Sequence, residues 1–135
     1  MATQRIGILT GGGDVPGLNS VIKEVTYRAT ENCCGVVGIR RGWEGLTHVN
    51  LADPDSKARY ILPLTRLNTR TIDRYGGTVL HSSRTNPTKM PNLPDFLKGQ
   101  SFPQKEVTKG GKTSTVYDLS PQVLKNIEEI GRAHV

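Results

Sequence analysis

The sequence predicts an α/β fold, a parallel sheet flanked by helices, and three observations carry that reading. An apolar run at Ile6, Ile8 and Leu9 leads into three consecutive glycines, Gly11, Gly12 and Gly13. Leu18, Val21, Ile22 and Val25 then recur at helical spacing, and a second β-rich run follows from Gly35 to Ile39. Strand, helix and strand in that order make a βαβ unit, whose right-handed crossover sets the two strands parallel.

Taken in order, the first strand is expected over Ile6 to Thr10, buried as a central parallel strand is. The glycines allow a turn with positive φ and close approach of backbone to a ligand. Pro16 suits a first helical turn, and the helix is expected over Leu18 to Thr30. Its free N–H groups and positive dipole end then face the glycine loop, which makes an anion the natural guest. The competing reading is that the glycines make a tight strand-to-helix turn and nothing more. After the second strand, Asp53-Pro54-Asp55 marks a turn, Tyr60 to Leu64 a strand and Thr65 to Tyr75 a helix that Gly76-Gly77 stops. Met90 to Gly111, rich in Pro, Gly and Lys, reads as a long surface loop with a short hairpin around Glu106 to Val116. Ser120 before Pro121 caps a last helix whose Val123, Leu124, Ile127 and Ile130 are expected to face a sheet.

Composition narrows the function classes. With 35% hydrophobic and 22% charged residues the chain is of ordinary globular make-up, and no apolar run approaches membrane-spanning length. Five residues ahead of the first strand leave no room for a signal peptide, so a cytoplasmic setting is expected. Adjacent Cys33 and Cys34 lack ligand spacing and read as buried or partly buried thiols at a helix end. The formal charge of +6 and the four-residue spacing of Arg66, Arg70 and Arg74 invite phosphate. Aromatics are only 5%, however, and no stacking platform accompanies the arginines, so no nucleic-acid partner is expected.

Two general nucleotide motifs fail. From Gly11 and Gly13 the dinucleotide pattern G-x-G-x-x-G needs a glycine where Pro16 stands. Gly111-Lys112-Thr113 resembles the tail of a P-loop, but Glu106 occupies the required upstream glycine and no apolar strand precedes it.

The stretch Gly12-Gly13-Asp14-Val15-Pro16-Gly17-Leu18-Asn19 resembles the opening G-G-D-x-P-G-x-N of the phosphofructokinase family. Gly42-Trp43-Glu44-Gly45-Leu46 is similar to that family's G-(aromatic)-x-G-L segment. Gly76-Gly77-Thr78-Val79-Leu80-His81-Ser82-Ser83-Arg84 resembles its G-G-T-x-L-x-S-(small)-R segment. The three arrive in the family's order, and Thr85-Asn86-Pro87 looks closer to the branch that holds both ATP-dependent and pyrophosphate-dependent enzymes.

The resemblance implies transfer of a phosphoryl group from ATP or pyrophosphate to the 1-hydroxyl of fructose 6-phosphate, with Mg²⁺ whose ligands lie outside this chain, in a homo-oligomer. It implies that Gly12 and Gly13 contact donor phosphates, that Arg84 neutralises them with Thr85 beside it, and that Trp43 lies by the nucleotide. For the glycines and for Arg84, whose fork matches phosphate oxygens, the residue chemistry argues the same way; Trp43 reads equally well as core. Asp14 reads as a cap for local N–H groups. At 135 residues the chain is shorter than the family's catalytic subunit, and residues 1–129 read as a partial N-terminal donor-phosphate-binding domain. The family's G-G-D-(G/D) loop, its T-(I/V)-D-N-D base segment and its M-G-R sugar-phosphate segment are absent, so no catalytic base is named. Residues 130–135 depart from the family pattern and read as a non-native tail. Lys23 and Tyr27 stand where regulated bacterial members carry effector-binding arginines. The alternative reading is a non-catalytic nucleotide- or anion-binding α/β module.

Overall fold

The computed structural model describes residues 4–13 and 16–131; Asp14, expected as a cap, and tail residues 132–135 lie outside them. Strand β1 (Arg5–Ile8) leads through the glycine loop to helix α1 (Leu18–Glu31), which returns to β2 (Gly35–Ile39). β1 and β2 pair in parallel, Ile6 opposite Val36 and Ile8 opposite Gly38. Short helices α2 (Trp43–His48) and α3 (Pro54–Tyr60) then bring the chain to β3 (Ile61–Leu64). Helix α4 (Arg66–Thr69) and a 3₁₀ turn at Ile72–Arg74 follow; farther on come the hairpin β4 (Gln104–Lys109) and β5 (Lys112–Tyr117) and helix α5 (Ser120–Gly131).

The sheet order is β1-β2-β3, and the sheet is mixed where an all-parallel one was expected: β3 runs antiparallel to β2, Pro63 opposite Val37. Pro63 has no N–H to give a neighbour, which suits an edge strand. β1 is also an edge among the described residues, and its residues are exposed or half-buried, Ile6 at 39%. The expected buried central strand is therefore corrected; no described strand covers its outer side.

Helix α1 buries Asn19, Ile22, Thr26 and Ala29, one stripe at helical spacing, against the sheet. Ile22, Ala29, Val36, Leu64, Ile72 and Leu80 form the core on that face, and full burial of one such aliphatic side chain stabilises by about 1.5–3 kcal/mol. Across the sheet Ile39, Leu46 and Val123 join α2 and α5. There α5 turns only part of its apolar set inward: Val123 is buried, while Leu124 is 66% exposed, correcting its expected place against a sheet.

Three further expectations are revised. The predicted helix Thr65 to Tyr75 is broken after one turn: Thr65 and Asn68 form a capping box, and Ile72 dips into the core from the 3₁₀ turn that follows. β-branched Thr69, Thr71 and Ile72 give little resistance to that break. Met90 to Gly111 is not simply a surface loop, because Met90, Leu97 and Leu119 are buried together with Phe96 and Phe102 packed on them. Its hairpin turns at Gly110 and Gly111, both at positive φ, as the central pair of a type I′ hairpin turn requires. That places the rejected Gly111-Lys112-Thr113 on a hairpin. Cys33 is exposed just past α1 at φ 59°, and only Cys34 is half-buried.

Candidate functional site

At the carboxyl end of β1 three segments are stitched together. The Thr10 hydroxyl donates to the His81 carbonyl at 3.0 Å and lies 2.9 Å from the Thr78 hydroxyl. One hydroxyl carries one proton, so Thr78 must donate into Thr10. The Gly12 N–H donates to the Ser83 carbonyl at 3.0 Å, and the Ser82 hydroxyl donates back to the Gly12 carbonyl at 2.7 Å. From the other side the Arg41 N–H donates to the Leu80 carbonyl at 2.8 Å and the Ser83 hydroxyl to the Arg41 carbonyl at 2.6 Å. The arm 78–84 is thus held between the glycine loop and the turn that follows β2.

Close backbone approach explains two glycines. A Cβ on Gly42 would lie 2.7 Å from the Thr10 carbonyl oxygen, and Gly42 sits at φ 58°. A Cβ on Gly13 would lie 3.2 Å from Arg84 Nη2, so a side chain there would crowd the guanidinium. Arg41 at φ 62° and His81 at φ 56° are non-glycine residues in the left-handed region, flanking the same junction. Strained backbone of this kind persists where surrounding contacts over-determine it, and it concentrates at binding sites.

The structure brings Gly12, Gly13 and Arg84 together. Thr85 lines a cleft of about 360 Å³ with Arg84, Glu44, His48, Asn86 and Lys89. Trp43, 41% exposed at the head of α2, lines a different groove of about 320 Å³ with Leu9, Leu46, Ile127 and Ile130. α1 presents its N-terminus behind the loop, but Gly17 at φ 97° is the N-cap in place of a helical Pro16.

Several charges outside the loop are committed to the fold. Lys23 donates to Asp73 at 3.0 Å, tying α1 to the 3₁₀ turn, and that hydrogen bond holds the Asp73 carboxyl below its ordinary value. Arg66 reaches Glu31 at 3.6 Å and stacks over the Tyr27 ring, so the arginine stripe is interrupted as well as its helix. The Asp118 carboxylate accepts from the Ser120 N–H at 2.9 Å and is likewise lowered by its bonds to Ser120; it, and not Ser120, tends the start of α5. Among the described residues no three His, Cys, Asp or Glu side chains gather as a metal site. Nor is any described helix long and apolar enough to cross a membrane.

Sequence reasoning missed Thr10, Asn19, Arg41, His81, Ser82 and Ser83 as parts of the cradle. Two of the matched motifs contain Asn19, Ser82 and Ser83, but a motif does not say which backbone groups its polar residues hold.

The phosphofructokinase family model matches residues 5–114, most of the chain. A pyrophosphate–fructose 6-phosphate 1-phosphotransferase of Dictyoglomus thermophilum is 42% identical over 89 residues, 66% of this chain and 23% of that protein. An ATP-dependent 6-phosphofructokinase 3 of Streptomyces coelicolor is 42% identical over 96 residues, 70% of this chain and 25% of that protein. The chain therefore spans about a quarter of the length of these curated relatives. Among solved structures, Pichia pastoris phosphofructokinase in the T-state is similar at a TM-score of 0.54 and 26% identity, over 65% of this chain and 8% of that one. With the glycine loop, the arm bearing Arg84 and a matching family model in agreement, the chain belongs to the phosphofructokinase family.

Proposed function

We propose that the intact protein transfers a phosphoryl group from ATP or pyrophosphate to the 1-hydroxyl of fructose 6-phosphate, and that this chain supplies part of the donor-phosphate site. The observation that carries the reading is the Arg84 guanidinium beside Gly13 at the carboxyl end of β1. Phosphoryl transfer needs positioning and neutralisation of spread negative charge more than covalent chemistry. Gly12 and Gly13 let donor phosphates approach the backbone, Arg84 offers a fork of donors, and Thr85 extends the contact into the neighbouring cleft. With ATP as donor, Trp43 is the aromatic beside the nucleotide. Mg²⁺, if used, takes ligands from outside the described residues, and no step here runs through it. The intact protein is a cytoplasmic homo-oligomer, and this chain by itself is inactive.

The test is an assay of the complete gene product with each donor. Fructose 1,6-bisphosphate from either one supports the reading; none from both overturns it, and donor binding without turnover would mark a binding module. In that protein Arg84→Ala should lower turnover by about two to three orders of magnitude, the effect of losing one donor to transition-state charge. Its denaturation midpoint should correspond to within about 1 kcal/mol of wild type, because an exposed arginine facing a ligand contributes little to folding. Near-normal turnover with a large stability loss would remove Arg84 from the site.

A further inference from the structure

Asn19 is the second residue of α1, where a polar side chain ordinarily caps its own helix or meets water. It does neither. It is 4% exposed, its Nδ2 donates to the Tyr75 carbonyl at 3.1 Å, and its Oδ1 accepts from the Val79 N–H at 2.7 Å. The donor and acceptor ends of one amide thus grip both ends of the Gly76–Thr78 bend. Immediately beyond Val79 come the Leu80 and Ser83 carbonyls that receive Arg41 and Gly12, and then Arg84. Thr10, just past β1, fixes the same arm through Thr78 and His81, but among the described residues only Asn19 is seen to hydrogen-bond the arm to α1, on which Leu80 also packs.

We propose that Asn19 is a positioning residue of the anion cradle: it sets the arm 78–84 against α1 and so holds Arg84 at Gly13. Its ligand arm rests on the donor-phosphate reading; its conformational arm does not. Removing the amide leaves the part-buried Val79 N–H without its partner, and the arm gains the freedom to swing away from the loop. Arg84 would then meet phosphate from a spread of positions in place of one, which weakens binding without deleting any contacting group.

The experiment uses the 135-residue chain with inorganic pyrophosphate as probe, comparing Asn19→Ala, Arg84→Ala and the double variant by calorimetry. Asn19→Ala is expected to weaken pyrophosphate binding by roughly tenfold in the wild-type background and by less than about twofold when Arg84 is already alanine, the non-additivity of coupled residues. Equal losses in both backgrounds overturn the proposal. In parallel, amide exchange at Gly12 and Arg41, which bond the arm, should quicken by about tenfold in Asn19→Ala while interior amides of α1 keep their protection. A uniform quickening along the chain overturns it by showing that Asn19 holds the whole fold and not the arm. If the wild-type chain binds no pyrophosphate, its part of the site does not bind the anion by itself, the donor-phosphate reading stays with the assay of the complete protein, and the exchange comparison alone decides the role of Asn19.

Discussion

The two faces of the three-stranded sheet are finished to different degrees. On one, α1 closes over Ile22, Ala29, Val36, Leu64, Ile72 and Leu80, and Ile22 and Leu80 are wholly buried. On the other, α2 and α5 cover Ile39, Leu46 and Val123 but leave an apolar groove of about 320 Å³, with Ile127 43% exposed on its wall. The filled face is closed by a helix that follows β1 directly, so its stripe is brought to the sheet by the βαβ connection itself. The open face depends on a helix from the far end of the chain, anchored by Asn126 Nδ2 donating to the Leu46 carbonyl at 2.7 Å and by Arg5 donating to the Ile130 carbonyl at 3.2 Å. Connection length, and not apolar content, separates the two faces. The candidate site lies with the better-held part, since its arm begins at the residues α1 grips.

Ile22→Ala should give the largest effect, a loss of about 3–4 kcal/mol in denaturant unfolding, because a wholly buried isoleucine on the closed face leaves a cavity its neighbours cannot refill. Less than about 1.5 kcal/mol would mean that this face is as loosely packed as the other. On the open face Ile127→Glu should change stability by no more than about 0.5–1 kcal/mol, since the side chain is already near water. The wild-type chain should self-associate with rising concentration through the groove and the exposed edge of β1, and Ile127→Glu should weaken that association in sedimentation velocity. A monodisperse wild-type monomer with one cooperative thermal transition would show the open face to be harmless.

The smallest effect is acid sensitivity at the start of α5. Hydrogen bonds to Ser120 lower the Asp118 carboxyl from its ordinary 3.8, so the folded state holds its proton less tightly than the unfolded state. The contribution is therefore present above the ordinary value and is lost as pH falls through it towards the lowered one. Thermal melts at pH 6 and pH 3 should show Asp118→Asn losing slightly less than wild type on acidification. An identical loss would mean that this contact contributes nothing to holding α5.

Local chemistry made much of the molecule legible from sequence. The βαβ start follows from apolar period, and the hairpin from two adjacent glycines. These depend on neighbours within a few residues, which a sequence displays. The direction of β3, the break after α4, the core under Met90 and Leu119 and the exposure of Leu124 were decided by tertiary contact. Each turns on which of several similarly apolar surfaces meets which, and composition does not rank those meetings. The site divides in the same way. Sequence singled out Gly13 and Arg84 as candidates for phosphate, while only the folded chain set them side by side, because the hydrogen bonds of Thr10, Asn19, Ser82 and Ser83 that hold the arm join groups 42 to 71 residues apart.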